Sequence, residues 1–122
     1  MGYKSDIYNL LMTINKCFPE VRQRINQIDQ SLATMRLERF ALMTDEAIQQ
    51  QLFVQAQAYL DFMEQCLSNA SPALYNFIDV YYAEIILCSL NDSNKKLGWQ
   101  MMPSQLRQLH QGFWGTNKPY MH

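Results

Sequence analysis

Few residues of this 122-residue chain could carry catalysis or bind a metal ion. Its two histidines, His110 and His122, belong to no His-Glu-x-x-His, Glu-x-x-His or Cys-x-x-Cys pattern. The three cysteines, Cys17, Cys66 and Cys88, have no histidine nearby in sequence that could activate a thiol. We therefore predict no catalytic residue, no metal site and no cofactor, and we interpret the cysteines as reduced thiols buried among apolar neighbours.

Four carboxylates offer the one arrangement that could hold a divalent cation. Asp61 and Glu64 are three residues apart, so a helix would place both on one face. Asp79 and Glu84 are five residues apart and would point in different directions. We interpret all four as solvated helix faces, and a metal-dependent enzyme built from them is our third functional hypothesis.

Apolar mass is concentrated near the C-terminus, in a segment with little regular periodicity. Its members are Trp99, Met101, Met102, Phe113, Trp114, Tyr120 and Met121. These side chains must either pack on the helices or contact a partner. As partner-binding residues we predict four from this cluster and two carboxylates, namely Trp99, Met102, Phe113, Trp114, Asp61 and Glu64.

The net charge of −1 hides a separation of charge along the chain. Residues 44–94 contain seven acidic residues and no lysine or arginine, whereas residues 95–122 contain four basic residues and no acid. The acidic middle could pair with the basic ends within the chain. It could instead present a negative surface to a basic partner protein.

A nucleic-acid interface is the alternative use of the basic ends, with Trp99 or Trp114 stacked on exposed bases. The residues that would bind phosphates are Arg22, Arg24, Arg36, Arg39, Lys95 and Lys96. A pI of about 6.0 argues against this alternative, because nucleic-acid-binding domains usually carry excess positive charge.

One short motif has a known counterpart. Residues 49–53, Gln-Gln-Gln-Leu-Phe, resemble the Gln-x-x-Leu-Phe core of bacterial sliding-clamp-binding peptides, which bind in an extended, exposed form. We place these five residues early in a helix, with Leu52 facing the core. The motif is therefore not assigned a role.

The longest regular pattern is an apolar stripe over residues 7–35, with intervals of four and three residues throughout. It comprises Ile7, Leu11, Ile14, Phe18, Val21, Ile25, Ile28, Leu32 and Met35. Pro19 is incompatible with a straight helix, so either one helix kinks there or two helices meet, and we favour two. The same stripe could also form the seam of a homodimer.

Three further helices are predicted downstream. A boundary falls at residues 43–46, where Thr44 would cap a helix reaching about residue 67. A turn and cap before Pro72 would open another helix to about residue 90, with a strand over residues 77–90 as the alternative. A short helix is predicted over residues 103–111.

Length and composition, with 48% hydrophobic and 17% charged residues, predict a single globular domain. We predict an all-α fold, a small antiparallel bundle of four main helices plus a short C-terminal helix. Its parts would be a kinked or split helix pair (residues 5–43), an acidic helix pair (44–94) and a basic, aromatic and Met-rich segment (95–122).

The predicted function follows by elimination of catalysis, metal binding and phosphate loops. We expect a non-catalytic protein–protein interaction module, such as an adaptor, chaperone or inhibitor, acting on another protein through helix faces and the aromatic C-terminal segment. A nucleic-acid-associated regulator is the alternative. Because no apolar run approaches a membrane span or a signal-peptide core, we expect a cytoplasmic location and no membrane contact.

Overall fold

The computed structural model describes residues 3–122, with side chains described from Asp6 onward. Within that range the chain is all-helical and has no strand, so the all-α prediction is confirmed and the strand alternative is wrong. The α-helices are α1 (Tyr3–Cys17), α2 (Pro19–Asn26), α3 (Ala33–Gln49), α4 (Phe53–Ser68), α5 (Pro72–Ile78), α6 (Asp92–Met101) and α7 (Ser104–Trp114). This division into seven does not confirm the arrangement of four main antiparallel helices.

Two helices meet at Pro19. Helix α1 ends at Cys17, and α2 begins with Pro19, where a missing N–H is tolerated because first-turn N–H groups have no helical partner. The last two members of the apolar stripe, Leu32 and Met35, are exposed, but four central members are buried in this chain: Leu11, Ile14, Val21 and Ile25. A homodimer through this stripe would have to displace those intramolecular contacts.

The predicted helix boundary at Thr44 is wrong, because α3 runs through this residue to Gln49. Thr44 is fully buried. Its hydroxyl lies 3.0 Å from the carbonyl oxygen of Phe40 and 2.8 Å from the hydroxyl of Tyr82. A threonine that resembles a helix cap in sequence therefore joins α3 to the core from the middle of the helix.

Helix α5 begins at Pro72 as predicted, and the Ser71 hydroxyl accepts the N–H of Leu74 at 3.2 Å. The prediction that this helix reaches residue 90 is wrong. The α-helix ends at Ile78. The chain then forms a π-helical turn, Asp79–Ala83, which is followed by irregular turns. Helix α6 then crosses the boundary predicted between residues 94 and 95.

Aromatic side chains bring the helices together at the centre of the molecule. The fully buried ring of Phe40 on α3 lies 5.1 Å from the Tyr59 ring on α4 and 5.6 Å from the Tyr82 ring in the π-helical turn. Phe18, between α1 and α2, stacks on Phe40 at 5.9 Å. Helix α3 is therefore the element against which α4 and the π-helical turn are positioned.

The separated charges meet in one ion pair among the described residues. Arg24 on α2 donates from both terminal nitrogens to the carboxylate of Glu46 on α3, each at 2.7 Å. This bidentate contact links the basic N-terminal part to the acidic middle. None of the helices in the described part of the chain has the length and apolarity that crossing a bilayer requires.

Candidate functional site

The connection between α3 and α4 exposes three consecutive apolar side chains. Leu52 is 46% exposed, Phe53 39% and Val54 89%. We call residues 52–54 the apolar ridge. Single exposed apolar residues are common on protein surfaces, but an uninterrupted run of three is unusual and makes the apolar ridge a candidate interaction site.

A tight backbone turn fixes the position of the apolar ridge. Gln51 has a φ of 62°, and its N–H donates to the carbonyl of Ile48 at 3.0 Å. The next N–H, of Leu52, donates to the carbonyl of Ala47 at 2.8 Å. These two bonds form a Schellman motif, which normally has glycine at the left-handed position. Glutamine there costs about 1 kcal/mol, and α4 begins immediately afterwards.

Two apolar grooves flank the ridge. One, of about 420 Å³, lies between α4 and α6 and is lined by Phe53, Val54, Gln57, Leu97, Gln100 and Met101. The other, of about 520 Å³, is lined by Phe18, Glu20, Gln51, Leu52, Phe53, Val54, Gln55, Ala58 and Tyr59. Glu20 is the one charged residue among them, and its carboxylate accepts the hydroxyl of Tyr59 at 2.7 Å. The surface therefore offers apolar contact with little competing charge.

The predicted position of residues 49–53 within one helix is wrong. Residues 49–53 lie at the end of α3, in the turn and at the start of α4, and Leu52 faces solvent rather than the core. With a helix start at Thr44, residues 49–53 would lie inside one helix and Leu52 would face the core. The signal that could have revealed the ridge is the run of three consecutive apolar residues, Leu52, Phe53 and Val54, which a single helix face does not accommodate.

Two of the predicted partner-binding residues belong to the core. Trp99 and Met102 are 6% and 3% exposed. The guanidinium of Arg107 lies 4.8 Å above the Trp99 ring and donates to the carbonyl oxygen of Trp99 at 2.7 Å. Packing has buried these side chains between α6 and α7, so their prediction as partner contacts is wrong.

Phe113 and Trp114, at the end of α7, remain accessible. Phe113 is 57% exposed. Trp114 is partly exposed, and its indole N–H donates to the carbonyl oxygen of Glu84 at 2.8 Å. Phe113 also lines a cleft of about 230 Å³ together with Asp79 and Glu84. The aromatic C-terminal cluster is thus divided: Trp99 and Met102 are buried, Phe113 and Trp114 are exposed, and the other three members are partly buried.

The predicted carboxylate pair on α4 is also divided. Asp61 is exposed, and its carboxylate accepts the amide N–H of Gln57 at 2.9 Å. Glu64 accepts the backbone N–H groups of Gln105 and Leu106, each at 3.0 Å, and so caps the start of α7 from another helix. Glu64 therefore has a structural role, and its contact with a partner stays a prediction.

The four carboxylates of the metal hypothesis do not converge. Asp79 and Glu84 line one cleft, and burial together with the charge of Asp79 raises the pKa of Glu84. Asp61 and Glu64 lie on α4 and do not line this cleft. Within residues 3–122 no group of three or more His, Cys, Asp or Glu side chains could hold a metal ion.

Two of the arginines proposed for nucleic-acid binding are engaged within the chain. Arg24 pairs with Glu46, and Arg36 donates from Nε and Nη2 to the carbonyl oxygen of Ile28 at 3.0 and 2.7 Å. Trp99 is buried and cannot stack on a base. The structure therefore leaves fewer of the proposed residues free to bind nucleic acid than the sequence predicted.

Asp45, on the buried face of α3, holds the turns that follow the π-helical turn. Its carboxylate accepts the N–H of Leu87 at 2.7 Å and the hydroxyl of Ser89 at 2.7 Å. Leu87 is buried with a φ of 74°, a conformation that is costly for a branched side chain. Burial raises the pKa of Asp45, while these hydrogen bonds act in the opposite direction.

His110 on α7 fixes the same region from the other side. Its Nδ1 lies 2.8 Å from the carbonyl oxygen of Ala83, so Nδ1 carries the proton because a carbonyl can only accept. Nε2 then accepts the hydroxyl of Tyr120 at 2.7 Å. The imidazole is fully buried, and burial lowers the pKa of His110. The stabilisation of these turns by Asp45 and His110 was not predicted from the sequence.

The cysteines differ in exposure. Cys66 is half-buried, and burial raises the pKa of its thiol to about 11. Cys17 and Cys88 are exposed, so the expectation of three buried thiols is wrong for these two. Burial of its sulfur also raises the pKa of Cys88, so this thiol is not activated as a nucleophile.

These features define an all-helical domain with an exposed apolar ridge and without a convergent catalytic constellation among the described residues. Residues 11–115 match a family described as a domain of unknown function, DUF7674, and the chain belongs to this family. The matched region contains the apolar ridge, Asp45 and His110, whereas Tyr120 lies beyond it. No curated protein and no solved structure matches the chain.

Proposed function

We propose that this protein is a non-catalytic protein–protein interaction module, which inserts the apolar ridge into an apolar groove of a partner protein. The observation that carries the proposal is the uninterrupted exposure of Leu52, Phe53 and Val54. Transfer of these side chains from water into a partner would contribute about 25 cal/mol per Å² of apolar surface buried. An adaptor, a chaperone and an inhibitor all act in this way.

Two properties of the ridge support this proposal over nonspecific exposure. The Schellman turn at Gln51 holds the ridge in one conformation, which lowers the entropy lost on binding. The flanking grooves give a partner apolar walls on both sides, including the exposed Leu97. The partner surface that fits is therefore apolar, concave and largely uncharged.

The test compares two charge substitutions on exposed apolar residues. Val54→Glu places a carboxylate in the first turn of α4, where the helix dipole favours it, so stability should stay within about 0.5 kcal/mol of the wild type. Met12→Glu on α1 is the matched control, because Met12 is 62% exposed and lies outside the ridge. Proteins captured from the source cell are then compared by quantitative mass spectrometry.

We expect a partner that is captured by the wild type and by Met12→Glu but is depleted at least tenfold with Val54→Glu. Sedimentation analysis of the three purified proteins shows whether the partner is a second copy. Capture that is equal for all three proteins, without self-association of the wild type, would contradict the proposal. The cytoplasmic location remains a prediction that imaging of the full chain can test.

A further inference from the structure

A small basic cleft lies on a part of the molecule that the proposed interaction does not use. It has a volume of about 140 Å³ and lies between the turn that contains Leu87 and the C-terminal segment. Its lining residues are Leu87, Cys88, Lys95, Trp114, Lys118 and Tyr120. Two lysines and no acidic side chain therefore face one confined space.

The positive charges of these lysines are not neutralised by ion pairs. Lys95 and Lys118 are both half-buried, and neither forms a salt bridge in residues 3–122. Lys95 lies close enough to Asp45 to lower the pKa of that carboxyl, so this carboxylate balances part of the charge of Lys95, but the two side chains form no ion pair. The one ion pair among the described residues is Arg24–Glu46, so no carboxylate lies within 4 Å of the Lys118 ammonium there.

Aromatic rings orient both ammonium groups. The Nζ of Lys95 lies 5.7 Å from the centre of the Tyr120 ring, and the Nζ of Lys118 lies 5.7 Å from that of the Trp114 ring. Both rings are themselves fixed. The Trp114 indole donates to the Glu84 carbonyl, and the Tyr120 hydroxyl donates to His110.

The back wall of the cleft is equally rigid. Asp45 holds the N–H of Leu87 at 2.7 Å, so this residue keeps its left-handed conformation. A cleft with fixed walls loses little conformational entropy when a ligand enters it. Strained backbone is also frequent beside functional sites, and Leu87, which lines this cleft, has a left-handed backbone.

We propose that this cleft binds a single phosphate group, with Lys95 and Lys118 as its two cationic contacts. The volume suits one tetrahedral anion and is well below the roughly 300 Å³ at which drug-sized ligands begin. Two ammonium groups match the charge of about −2 that a phosphate carries near neutral pH. Free phosphate and the phosphoryl group of a small phosphomonoester share this chemistry.

The experiment is calorimetric titration of the full chain with inorganic phosphate, at pH 7.5 and constant ionic strength. The proteins compared are the wild type, Lys95→Gln, Lys118→Gln and, as matched control, Lys96→Gln. Lys96 is the exposed neighbour of Lys95 and does not line the cleft. We expect saturable binding by the wild type and by Lys96→Gln, and about tenfold weaker binding by each of the other two variants.

Parallel titrations with glycerol phosphate and with acetate distinguish the ligand classes. Tighter binding of glycerol phosphate than of free phosphate identifies a phosphomonoester as the source, and the reverse identifies the free ion. Acetate that binds as well as phosphate overturns the assignment. Absence of saturable phosphate binding to the wild type, or equal weakening by Lys96→Gln, also overturns it.

A spectroscopic measurement distinguishes a loss of phosphate binding from a loss of folding. Trp114 lines the cleft and Trp99 is buried outside it, so the Trp114 indole N–H signal should shift with phosphate while that of Trp99 stays in place. Lys118→Arg keeps the charge and should retain the Trp114 shift. Equal shifts of both tryptophan signals would contradict binding in this cleft.

Discussion

Two residues other than glycine adopt the left-handed backbone conformation in the described part of the chain, and their surroundings are opposite. Leu87 is buried, and the carboxylate of Asp45 holds its N–H. Gln51 is exposed, is held by backbone hydrogen bonds alone and is followed by the apolar ridge. Strain at Leu87 is offset by core packing and buried hydrogen bonds, whereas strain at Gln51 gains no such compensation within the chain.

The strongest test of this comparison removes the carboxylate that holds Leu87. Asp45→Ala leaves the donors of Leu87 and Ser89 without an acceptor, so we expect the free energy of unfolding to fall by about 3 kcal/mol. Urea denaturation measures the change. Asp45→Asn keeps one oxygen that can accept the Leu87 N–H and should lose about half as much. An Asp45→Ala protein as stable as the wild type would contradict the buried support.

A second test uses the pH dependence of the free energy of unfolding, because His110 supports the same region of the fold as Asp45. Burial lowers the pKa of folded His110, so below its unfolded value of about 6.5 the unfolded chain takes up a proton that the folded chain does not. The free energy of unfolding should therefore fall as pH drops below about 6.5, by up to about 1.4 kcal/mol per pH unit. Thermal or urea unfolding between pH 7.5 and 5.5 measures this slope.

His110→Gln is the control for the pH dependence, because it removes the titrating group and leaves His122 in place. Burial raises the pKa of Asp45, Asp79 and Glu84, so these groups bind protons more readily in the folded chain and oppose the effect at lower pH. They are present in both proteins, so the difference in slope belongs to His110. Identical slopes would show that protonation of His110 is not coupled to folding.

The smallest expected change in the free energy of unfolding is at Gln51, the exposed residue of the two. Gln51→Gly removes the steric cost of a φ of 62° without loss of a buried contact, so the free energy of unfolding should rise by about 0.5–1 kcal/mol. Gln50→Gly is the neighbouring control, because Gln50 has a φ of −85° and gains nothing from glycine. A stability gain at both positions, or at neither, would remove the distinction between the two strained residues.

Local rules predicted the parts of the fold that depend on neighbouring residues. Pro19 separates α1 from α2, and Ser71 with Pro72 starts α5, because these residue types limit the backbone directly. The left-handed Gln51, by contrast, gave no signal, because the turn lacks the glycine that usually marks a helix end. The apolar ridge was missed for this reason.

Other errors arose where distant residues decide the structure. Thr44 and Asp45 resemble a helix start, but their partners are Tyr82, Leu87 and Ser89, about forty residues away in sequence. The burial of Trp99 similarly depends on how α6 meets α7, which no local pattern describes. Periodicity indicates that a helix exists, but tertiary contacts decide where it ends and which polar groups it buries.

Glu64 on α4 caps the start of α7 and so limits how this part of the chain can be engineered. The acceptor for the first N–H groups of α7 lies 41 residues upstream of Gln105, on α4. An excised segment of 11 residues would lack that acceptor and would be too short to stay helical in water. Helix α7 is therefore not a transferable part, and any chimera that exchanges it has to carry residue 64 with it.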